Sequence, residues 1–191
     1  MKAQTAFERL PISSLAVKGN CPVCCGVKHF HESLPERLRT ETQPHLCNFH
    51  AWLLAKSAQA EAAASLFLNA LRTKERIAIP ASPSRCTGCA KIHGEEVERL
   101  KEVTRELEQN SLTGRWLKEH ARFCLRHILE LKKQVPSSLR EALNGMSSRG
   151  VAELELELRE FLQQAKQGDH SGGGVLGRAA EFLVSQRGIL D

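Results

Sequence analysis

The 191-residue chain contains no tyrosine, and aromatic residues make up only 5% of the sequence. No run of 18 apolar residues occurs, so the sequence predicts no membrane-spanning helix. The first residues contain no apolar segment typical of a secretory signal, and we therefore expect an intracellular, cytoplasmic protein. The contents of 41% hydrophobic and 26% charged residues are typical of a globular chain and argue against a disordered one.

The chain also lacks a strong excess of charge of either sign. It has 27 basic and 22 acidic residues, a formal net charge of +5, and no run of five basic residues. A solvated helix face explains its densest basic segment more simply than a phosphate-binding surface, but a nucleic-acid-binding regulator stays an alternative. The basic residues of this segment are Arg115, Lys118, Arg122, Arg126, Lys132 and Lys133.

Two common catalytic motifs are absent as well. The sequence contains neither the GxSxG motif of serine hydrolases nor a P-loop. The glycine run Gly172-Gly173-Gly174 lacks the lysine and the preceding strand that a phosphate-binding loop needs, and it is more typical of a flexible joint. The sequence therefore leaves enzyme activity undecided and favours a non-enzymatic role.

Cysteine, in contrast, is abundant, and six of the seven cysteines belong to an internal repeat. Each copy reads Cys-x-x-Cys followed by Cys-x-x-His, with 22 intervening residues in the first copy and 34 in the second. In a reducing compartment such cysteines are more often metal ligands than disulfides. The predicted ligands are Cys21, Cys24, Cys47 and His50 in the first copy, and Cys86, Cys89, Cys124 and His127 in the second.

The spacing of these ligands suits a tetrahedral metal ion. Two thiolates separated by two residues can bind one ion from a tight turn, which Pro22 favours in the first copy and Gly88 in the second. A cysteine and a histidine three residues apart lie on one face of a helix and complete a Cys3His set. Because four protein ligands leave no position for water or substrate, we expect two structural zinc sites, with an iron–sulfur cluster as the alternative.

The fourth ligand of each site has an alternative. His45 and His120 each precede the third cysteine of their copy and could replace His50 or His127. His50 and His127 follow that cysteine at the same offset in both copies, whereas the offsets of His45 and His120 differ. The constant offset favours His50 and His127 as the ligands.

Three further residues near the first motif lie outside the repeat. Cys25 is the seventh cysteine, and it is either a redox-sensing thiol or a residue that packs or faces water. His29 and His31 are either spare ligands or surface histidines. For all three residues the sequence favours the second alternative, in which the side chain neither binds metal nor reacts.

Outside the motifs the sequence predicts only helices. Residues 46–76 contain no glycine or proline and place apolar residues on one stripe, which predicts a long helix. Two prolines within residues 77–84 then mark the boundary between two lobes. The alternating residues 151–158 could form a strand, but no partner strand is predicted nearby and their leucines also fit a helical face.

The second half of the chain is predicted to contain several shorter helices. Residues Asn110 to Gly114 predict a turn between two of them. The buried face before this turn comprises Val97, Leu100, Val103 and Leu107. The helical face after it comprises Trp116, Leu117, His120, Phe123, Cys124 and His127. A last helix runs from Val175 to about Arg187, and its predicted apolar side comprises Leu176, Ala180, Phe182 and Leu183.

Together these observations predict an all-α protein of two helical lobes that arise from an internal repeat, each clamped by a Cys3His metal site. The first lobe is expected at residues 1–80 and the second at 85–135. Residues 136–191 are expected to form C-terminal helices that pack on the lobes, with a glycine-rich joint at 168–174.

The motif pattern resembles an uncharacterised bacterial family, classed as a domain of unknown function, with paired CxxC…CxxH metal-binding motifs. The resemblance rests on the second-copy ligands, on a closing segment at 178–188, and on Cys21-Pro22-Val23-Cys24 and Cys47-Asn48-Phe49-His50-Ala51-Trp52. It implies a bacterial, helical, metal-binding protein and no particular activity.

Three functions fit these features. The first is a zinc-stabilised helical module that binds a protein partner or acts in regulation. The second is an iron–sulfur or thiol redox sensor, or an electron carrier, that uses the same cysteines. The third is the nucleic-acid-binding regulator with the basic face from Arg115 to Lys133.

Overall fold

The protein is helical in the computed structural model, which describes residues 9–17, 19–38, 46–56, 64, 67–68, 86–167 and 174–184. No β-strand occurs among these residues, so the predicted all-α class is confirmed. The helices are α1 (Ile12–Leu15), α2 (Pro22–Glu32), α3 (Leu34–Leu38), α4 (Asn48–Ala55), α5 (Thr87–Glu108), α6 (Leu112–His120), α7 (Leu125–Gln134), α8 (Ser137–Lys166) and α9 (Gly174–Val184).

The chain divides into two compact units. Among the described residues, unit 1 contains Arg9 and those of Val27–Val97, whereas unit 2 contains those of Leu10–Gly26 and of Glu98–Ile189. Each unit therefore combines separate stretches of chain, unlike the expected lobes at 1–80 and 85–135, which are continuous. The first turn of α2 belongs to unit 2 and the first half of α5 to unit 1, so each unit holds the beginning of one CxxC helix.

Unit 2 has an extensive apolar core. Val103 and Leu107 of α5 pack there with Leu117, Phe123 and other side chains of the later helices, and each is at most 2% exposed. Complete burial of one such side chain stabilises the fold by about 1.5–3 kcal/mol. A smaller apolar cluster between α8 and α9 comprises Leu154, Val175 and Phe182. The predicted buried face of α5 is thus confirmed at Leu100, Val103 and Leu107, while Val97 is only partly buried.

A buried arginine fixes the beginning of unit 2. Arg99 is 1% exposed and donates hydrogen bonds to the Leu10 carbonyl and to Glu102. Glu102 in turn accepts a hydrogen bond of 2.8 Å from the backbone N–H of Ile12. Gly26 makes room for this guanidinium, because a Cβ atom there would lie 2.8 Å from Arg99 Nε. The segment before α2 is thereby joined to α5.

The turn between α5 and α6 comprises residues 109–111 and overlaps the predicted segment Asn110–Gly114, whose residues from Leu112 onward already belong to α6. Asn110 has the positive φ of 48° that asparagine tolerates better than most residues. Ser111 caps α6 by accepting a hydrogen bond of 2.9 Å from the backbone N–H of Gly114. A Cβ atom at Gly114 would lie 2.0 Å from the Glu106 carbonyl oxygen, so only glycine permits this close approach of the two helices.

One predicted continuous helical face is interrupted. Helix α6 ends at His120, and residues 121–124 are not helical before α7 begins at Leu125. The face that was expected to run from Trp116 to His127 therefore divides between two helices. Periodicity misses this break because Ala121 and Phe123, which lie within it, are apolar and buried like the helical residues around them.

Helix α8 covers 30 residues and includes the whole alternating segment 151–158. The helical interpretation of that segment is therefore confirmed. Within it Leu154 is buried, while Val151 and Leu156 are exposed, as expected for a helix that contacts its neighbours along one stripe. Helix α9 packs against α7 and α8.

The predicted apolar side of α9 is confirmed at Phe182 and wrong at Leu176, Ala180 and Leu183. Val175 and Phe182 are buried and Ala179 is partly buried, whereas Leu176 and Leu183 are more than half exposed and Ala180 is exposed. The helix has two apolar stripes, Val175–Ala179–Phe182 and Leu176–Ala180–Leu183, and each fits helical spacing. The contacts with α7 and α8 select the first stripe.

Several predicted features lie outside the described residues. Helix α4 confirms the first part of the predicted helix at 46–76, and most of the remainder is outside the described range. The proline segment 77–84, the joint from 168 to 173 and the end of the last helix after Val184 also lie outside it.

Candidate metal centres

The eight predicted ligands come together in two clusters of four. The unit-2 cluster consists of Cys21, Cys24, Cys124 and His127, and the unit-1 cluster consists of Cys47, His50, Cys86 and Cys89. The repeat predicted that each copy would supply one whole site, and this pairing is wrong. Each cluster instead combines the CxxC motif of one copy with the CxxH motif of the other, so the unit-1 pairing is nested within the unit-2 pairing along the chain.

Each of the four motifs stands at the beginning of a helix. Its first cysteine directly precedes the helix, and its carbonyl accepts a hydrogen bond of 3.0 Å from the backbone N–H four residues later. The second ligand is the third residue of the helix, so both side chains lie near the same helix end. The first cysteines are Cys21 before α2, Cys47 before α4, Cys86 before α5 and Cys124 before α7.

This local geometry corrects the tight turn that was expected at the CxxC motifs. Pro22 is the first residue of α2, a position that suits proline because its missing N–H has no partner within a helix. A helix beginning has unpaired backbone N–H groups and a partial positive charge, which stabilise a thiolate. Two helix beginnings contribute to each cluster, and both favour the charged form of its cysteines.

In the unit-2 cluster the histidine faces all three sulfur atoms. The Nδ1 atom of His127 lies 3.3 Å from Cys21 Sγ, 3.4 Å from Cys24 Sγ and 3.1 Å from Cys124 Sγ. The sulfur atoms of Cys24 and Cys124 are 3.8 Å apart.

The unit-1 cluster repeats this arrangement with the motifs exchanged. The Nδ1 atom of His50 lies 3.2 Å from Cys47 Sγ and 3.4 Å from the sulfur atoms of both Cys86 and Cys89. The sulfur atoms of Cys47 and Cys89 are 3.8 Å apart.

Both clusters have the size of a single tetrahedral ion. Zinc–sulfur bonds of about 2.3 Å and zinc–nitrogen bonds of about 2.0–2.1 Å give S···S edges of about 3.8 Å and S···N edges of about 3.5 Å. The observed edges agree with these values to within about 0.4 Å. Each group of four ligand atoms can therefore hold one metal ion.

Without a cation, the thiols of the unit-2 cluster share their protons unequally. Hydrogen bonds from Cys21 and Cys24 lower the pKa of Cys124 to about 4, although burial acts in the opposite direction. The hydrogen bond that Cys24 donates to Cys124, a second one to Cys21, and burial together raise the pKa of Cys24 far above its ordinary value. Three thiolates so close together repel one another, and a bound cation removes this repulsion.

The unit-1 cluster shows the same division between its thiols. Burial acts to raise the pKa of Cys86, but hydrogen bonds from His50 and from the backbone N–H groups of Cys47 and Cys89 lower it to about 6. Burial, together with repulsion from Cys86, raises the pKa of Cys89. In each cluster the surroundings thus favour the thiolate form of one cysteine and the thiol form of another, and metal binding displaces the remaining protons.

The two clusters differ in their exposure to solvent. All four ligands of the unit-2 cluster are buried. In the unit-1 cluster Cys86 and His50 are buried, whereas Cys47 and Cys89 are partly exposed. The unit-1 cluster therefore lies closer to solvent than the unit-2 cluster at these two residues.

Gly88 has a role in the unit-1 cluster that its sequence context did not reveal. It lies in the first turn of α5, and a Cβ atom there would be 2.8 Å from Cγ of His50. The glycine thus provides the space for the ligand ring. The corresponding residue of the other CxxC motif is Val23, a fully buried side chain in unit 2. The glycine is visible in the sequence, but the preference of glycine for turns explained its presence equally well.

His31 was also misjudged as a surface histidine. Its ring centroid lies 5.8 Å from that of His50, with the ring planes at 84°. Burial, and secondarily the neighbouring His50, lower the pKa of His31 to about 4. The Nε2 atoms of both rings are buried without a hydrogen-bond partner.

Two other alternative residues, His120 and Cys25, do not join a cluster. His120 stacks on Trp116 with a centroid distance of 5.1 Å, and its Nδ1 atom lies 3.2 Å from the Trp116 carbonyl oxygen. Cys25 packs partly buried against the core of unit 2 and forms no disulfide. His45 lies outside the described residues. The geometry thus selects His50 and His127 over His120.

The basic face predicted from the sequence is partly neutralised within the fold. Arg122 forms ion pairs of 2.9 Å with Glu153 and 3.0 Å with Glu157, and its side chain is only 11% exposed. Lys133 pairs with Glu130 on the same helix. These pairs reduce the positive charge that the face offers to a phosphate backbone.

The glycine-rich segment before α9 also fits the spacing GxGxxG, with Gly172, Gly174 and Gly177 at the three glycine positions. In dinucleotide-binding proteins this motif follows a β-strand. Here it follows the 30-residue helix α8, and no strand occurs among the described residues. The spacing alone therefore gives no support to nucleotide binding.

Two negative findings complete the description of the site. Within the described part of the chain, no helix is both long enough and apolar enough to cross a bilayer. Comparisons with known protein families, curated proteins and solved structures give no significant match to this chain.

Proposed function

We propose that the protein binds two structural zinc ions and acts as a binding or regulatory module whose two units each depend on one ion. The observation that carries this proposal is the pair of Cys3His clusters with tetrahedral dimensions. Four protein ligands around each ion leave no position for substrate, which is typical of structural zinc. The closed sites are compatible with a role in binding a protein partner, which belongs to the same proposal.

Zinc fits the clusters better than an iron–sulfur cluster does. The ligand atoms of each group all lie within 4.8 Å of one another, which suits one ion bound directly by the protein. A multinuclear cluster needs further space between its ligands for iron and bridging sulfide. Its ligands are also most often cysteines alone, whereas each group here includes a histidine.

A redox role is the second candidate, and the exposure of Cys47 and Cys89 supports it. Oxidation of partly exposed zinc thiolates would release the metal and connect zinc binding to oxidants. Nucleic-acid binding has less support, because zinc in both sites would lower the formal net charge from +5 to +3. Each ion adds two positive charges and displaces three protons.

The cellular location and the origin of the protein also belong to this proposal. Six thiolate ligands need a reducing compartment, which supports a cytoplasmic location. A bacterial origin and membership of the family with paired CxxC…CxxH motifs rest on the motif resemblance described above.

Elemental analysis of the purified full chain, together with its absorption spectrum, tests the proposal. We expect two zinc ions per chain and a colourless protein. After exchange of zinc for Co²⁺, we expect the intense visible bands of tetrahedral cobalt with thiolate ligands. A brown protein that contains iron and labile sulfide would instead establish the redox alternative, and a chain that folds fully without metal would overturn both.

A further inference from the structure

The unit-1 cluster leaves one ring nitrogen of His50 without a partner. Nδ1 faces the three sulfur atoms, so Nε2 carries the ring proton when Nδ1 binds a metal. His50 is only 2% exposed, and its Nε2 has no hydrogen-bond partner. A buried donor without a partner costs about 1–3 kcal/mol. The fold therefore gains stability if an acceptor is close to this proton.

His31 of α2 has a matching unpaired atom. Its own Nε2 is also buried without a partner, and the two rings are nearly perpendicular with centroids 5.8 Å apart. At this centroid distance a direct N–H···N hydrogen bond forms if the two Nε2 atoms turn toward each other, and one water molecule can bridge them if they do not meet directly. A neutral histidine has one ring nitrogen that donates and one that accepts, so His31 can offer an acceptor to the proton of His50.

We propose that His31 is the second-sphere partner of His50 and that its Nε2 accepts the Nε2 proton of His50, directly or through one water. This inference rests on the zinc ion proposed for the unit-1 cluster. Partners of this kind fix the orientation of a ligand ring and increase its basicity. The unit-2 cluster does not need His31, because the Nε2 of the fully buried His127 is not among the unpaired atoms.

Three variants of the full zinc-loaded chain test this role. His31→Leu removes the acceptor, His31→Gln keeps an amide acceptor, and His29→Leu changes a histidine two residues earlier on α2 as the matched control. The zinc dissociation constants are measured by competition with a chromogenic chelator, and circular dichroism establishes that each variant is folded.

We expect His31→Leu to weaken the binding of one of the two zinc ions by about 10–100-fold. The affinity for the second ion should stay unchanged. His31→Gln should recover part of the lost affinity, and His29→Leu should bind both ions as tightly as the natural chain does. A folded His31→Leu variant with two unchanged zinc affinities would overturn the inference and leave the proposed zinc sites intact. A natural chain without zinc would overturn the proposed function itself.

A second measurement needs no variant and so holds even if His31→Leu fails to fold. Long-range ¹H–¹⁵N spectra of the zinc protein report the tautomer of His50 and the exchange of its ring proton with solvent. We expect Nδ1 of His50 bound to metal and its Nε2 proton in slow exchange with solvent. A His50 ring proton that exchanges as fast as that of free imidazole would contradict the proposed hydrogen bond.

Discussion

The two metal clusters have the same ligands and the same local geometry but different surroundings. In unit 2 the four ligands are all buried, and the adjoining apolar core includes Cys21, Cys24 and Cys124 themselves. In unit 1 the residues Cys47 and Cys89 are partly exposed, and a glycine makes room for the ligand ring. The same arrangement of two helix beginnings thus produces a fully buried site in one unit and a partly exposed site in the other.

The surroundings of the unit-2 cluster also affect stability. Unit 2 has apolar cores that involve α5 to α9, and its metal site adds to stability that packing already provides. We therefore expect unit 2 to keep part of its helical structure when its metal ion is lost.

The largest expected effect comes from removing ligands in pairs. If the nested pairing is correct, Cys21→Ser with Cys124→Ser removes one zinc ion and leaves the other, whereas Cys21→Ser with Cys47→Ser removes both. The apparent binding free energy of a structural zinc ion in small finger peptides is about 10–16 kcal/mol, as large as the stability of a whole domain. The metal content and the helicity of each double variant give the measurement.

Cys25→Ser is the control for this experiment, and it should keep two zinc ions. The within-copy pairing makes the opposite prediction for the first double variant, which would then lose both ions. One retained zinc in Cys21→Ser with Cys47→Ser would likewise contradict the nested arrangement.

A second effect should separate the clusters by their exposure. With an excess of chelator, the zinc ion of unit 1 should leave before that of unit 2, because Cys47 and Cys89 are partly exposed. Alkylation of the released thiols, followed by mass spectrometry, identifies the site. We expect Cys47 and Cys89 to be modified before Cys21 and Cys124.

Simultaneous release and modification at both sites would show that exposure does not govern their stability. Earlier modification of the unit-2 cysteines would reverse the comparison. Cys25 does not enter this test, since it belongs to neither cluster.

A smaller effect concerns two glycines of α5. Gly88→Ala places a methyl group against the His50 ring, and such overpacking costs about 1–3 kcal/mol, with weaker zinc binding in unit 1. Gly94→Ala is the matched control, because no atom lies within 4 Å of the added methyl group. Because alanine is more favourable than glycine in the middle of a helix, Gly94→Ala should stabilise the protein by roughly 0.5–1 kcal/mol.

Thermal melts and the affinity of each zinc site measure both variants. Equal effects of the two substitutions, or an unchanged unit-1 affinity in Gly88→Ala, would show that the His50 ring has more space than the structure indicates. The affinity of the unit-2 site should not respond to either change.

The smallest expected effect is the loss of a pH-dependent ion pair in unit 2. Burial acts to raise the pKa of Glu157, but the hydrogen bonds from Arg122 and Arg178 outweigh it and lower this pKa. Since the folded pKa lies below the unfolded value of about 4.3, the stabilisation is present above that value and is lost as the pH falls through the folded pKa. For a partly exposed network we expect about 1 kcal/mol or less.

Glu157→Gln should therefore destabilise the protein at neutral pH and have little effect at acidic pH. The control is Glu155→Gln, whose carboxylate pairs with the exposed Arg159 on the same helix and should contribute less. Urea denaturation at several pH values measures the difference. A loss of stability for Glu157→Gln that is independent of pH would mean that the carboxylate acts through packing and not through its charge.

The sequence predicted local features well where one pattern has one structural solution. The spacing of all four motifs identified the residues that now lie in the clusters, because ligands three residues apart face one ion from a helix beginning. The alternating segment 151–158 was correctly assigned to a helix. The rotation of α9 was not predicted, because two apolar stripes on that helix satisfy the same periodicity and only its contacts with α7 and α8 distinguish them.

The sequence by itself determined the identity of the ligands, the helical class and the capacity for two Cys3His sites. Only the tertiary structure decided which half-sites combine, that Gly88 makes room for His50, and that His31 lies beside it. The physical reason is that each half-site depends on hydrogen bonds within a few residues of chain. Joining Cys24 to Cys124 depends on packing between segments 100 residues apart, and identical motifs carry no information about their partners.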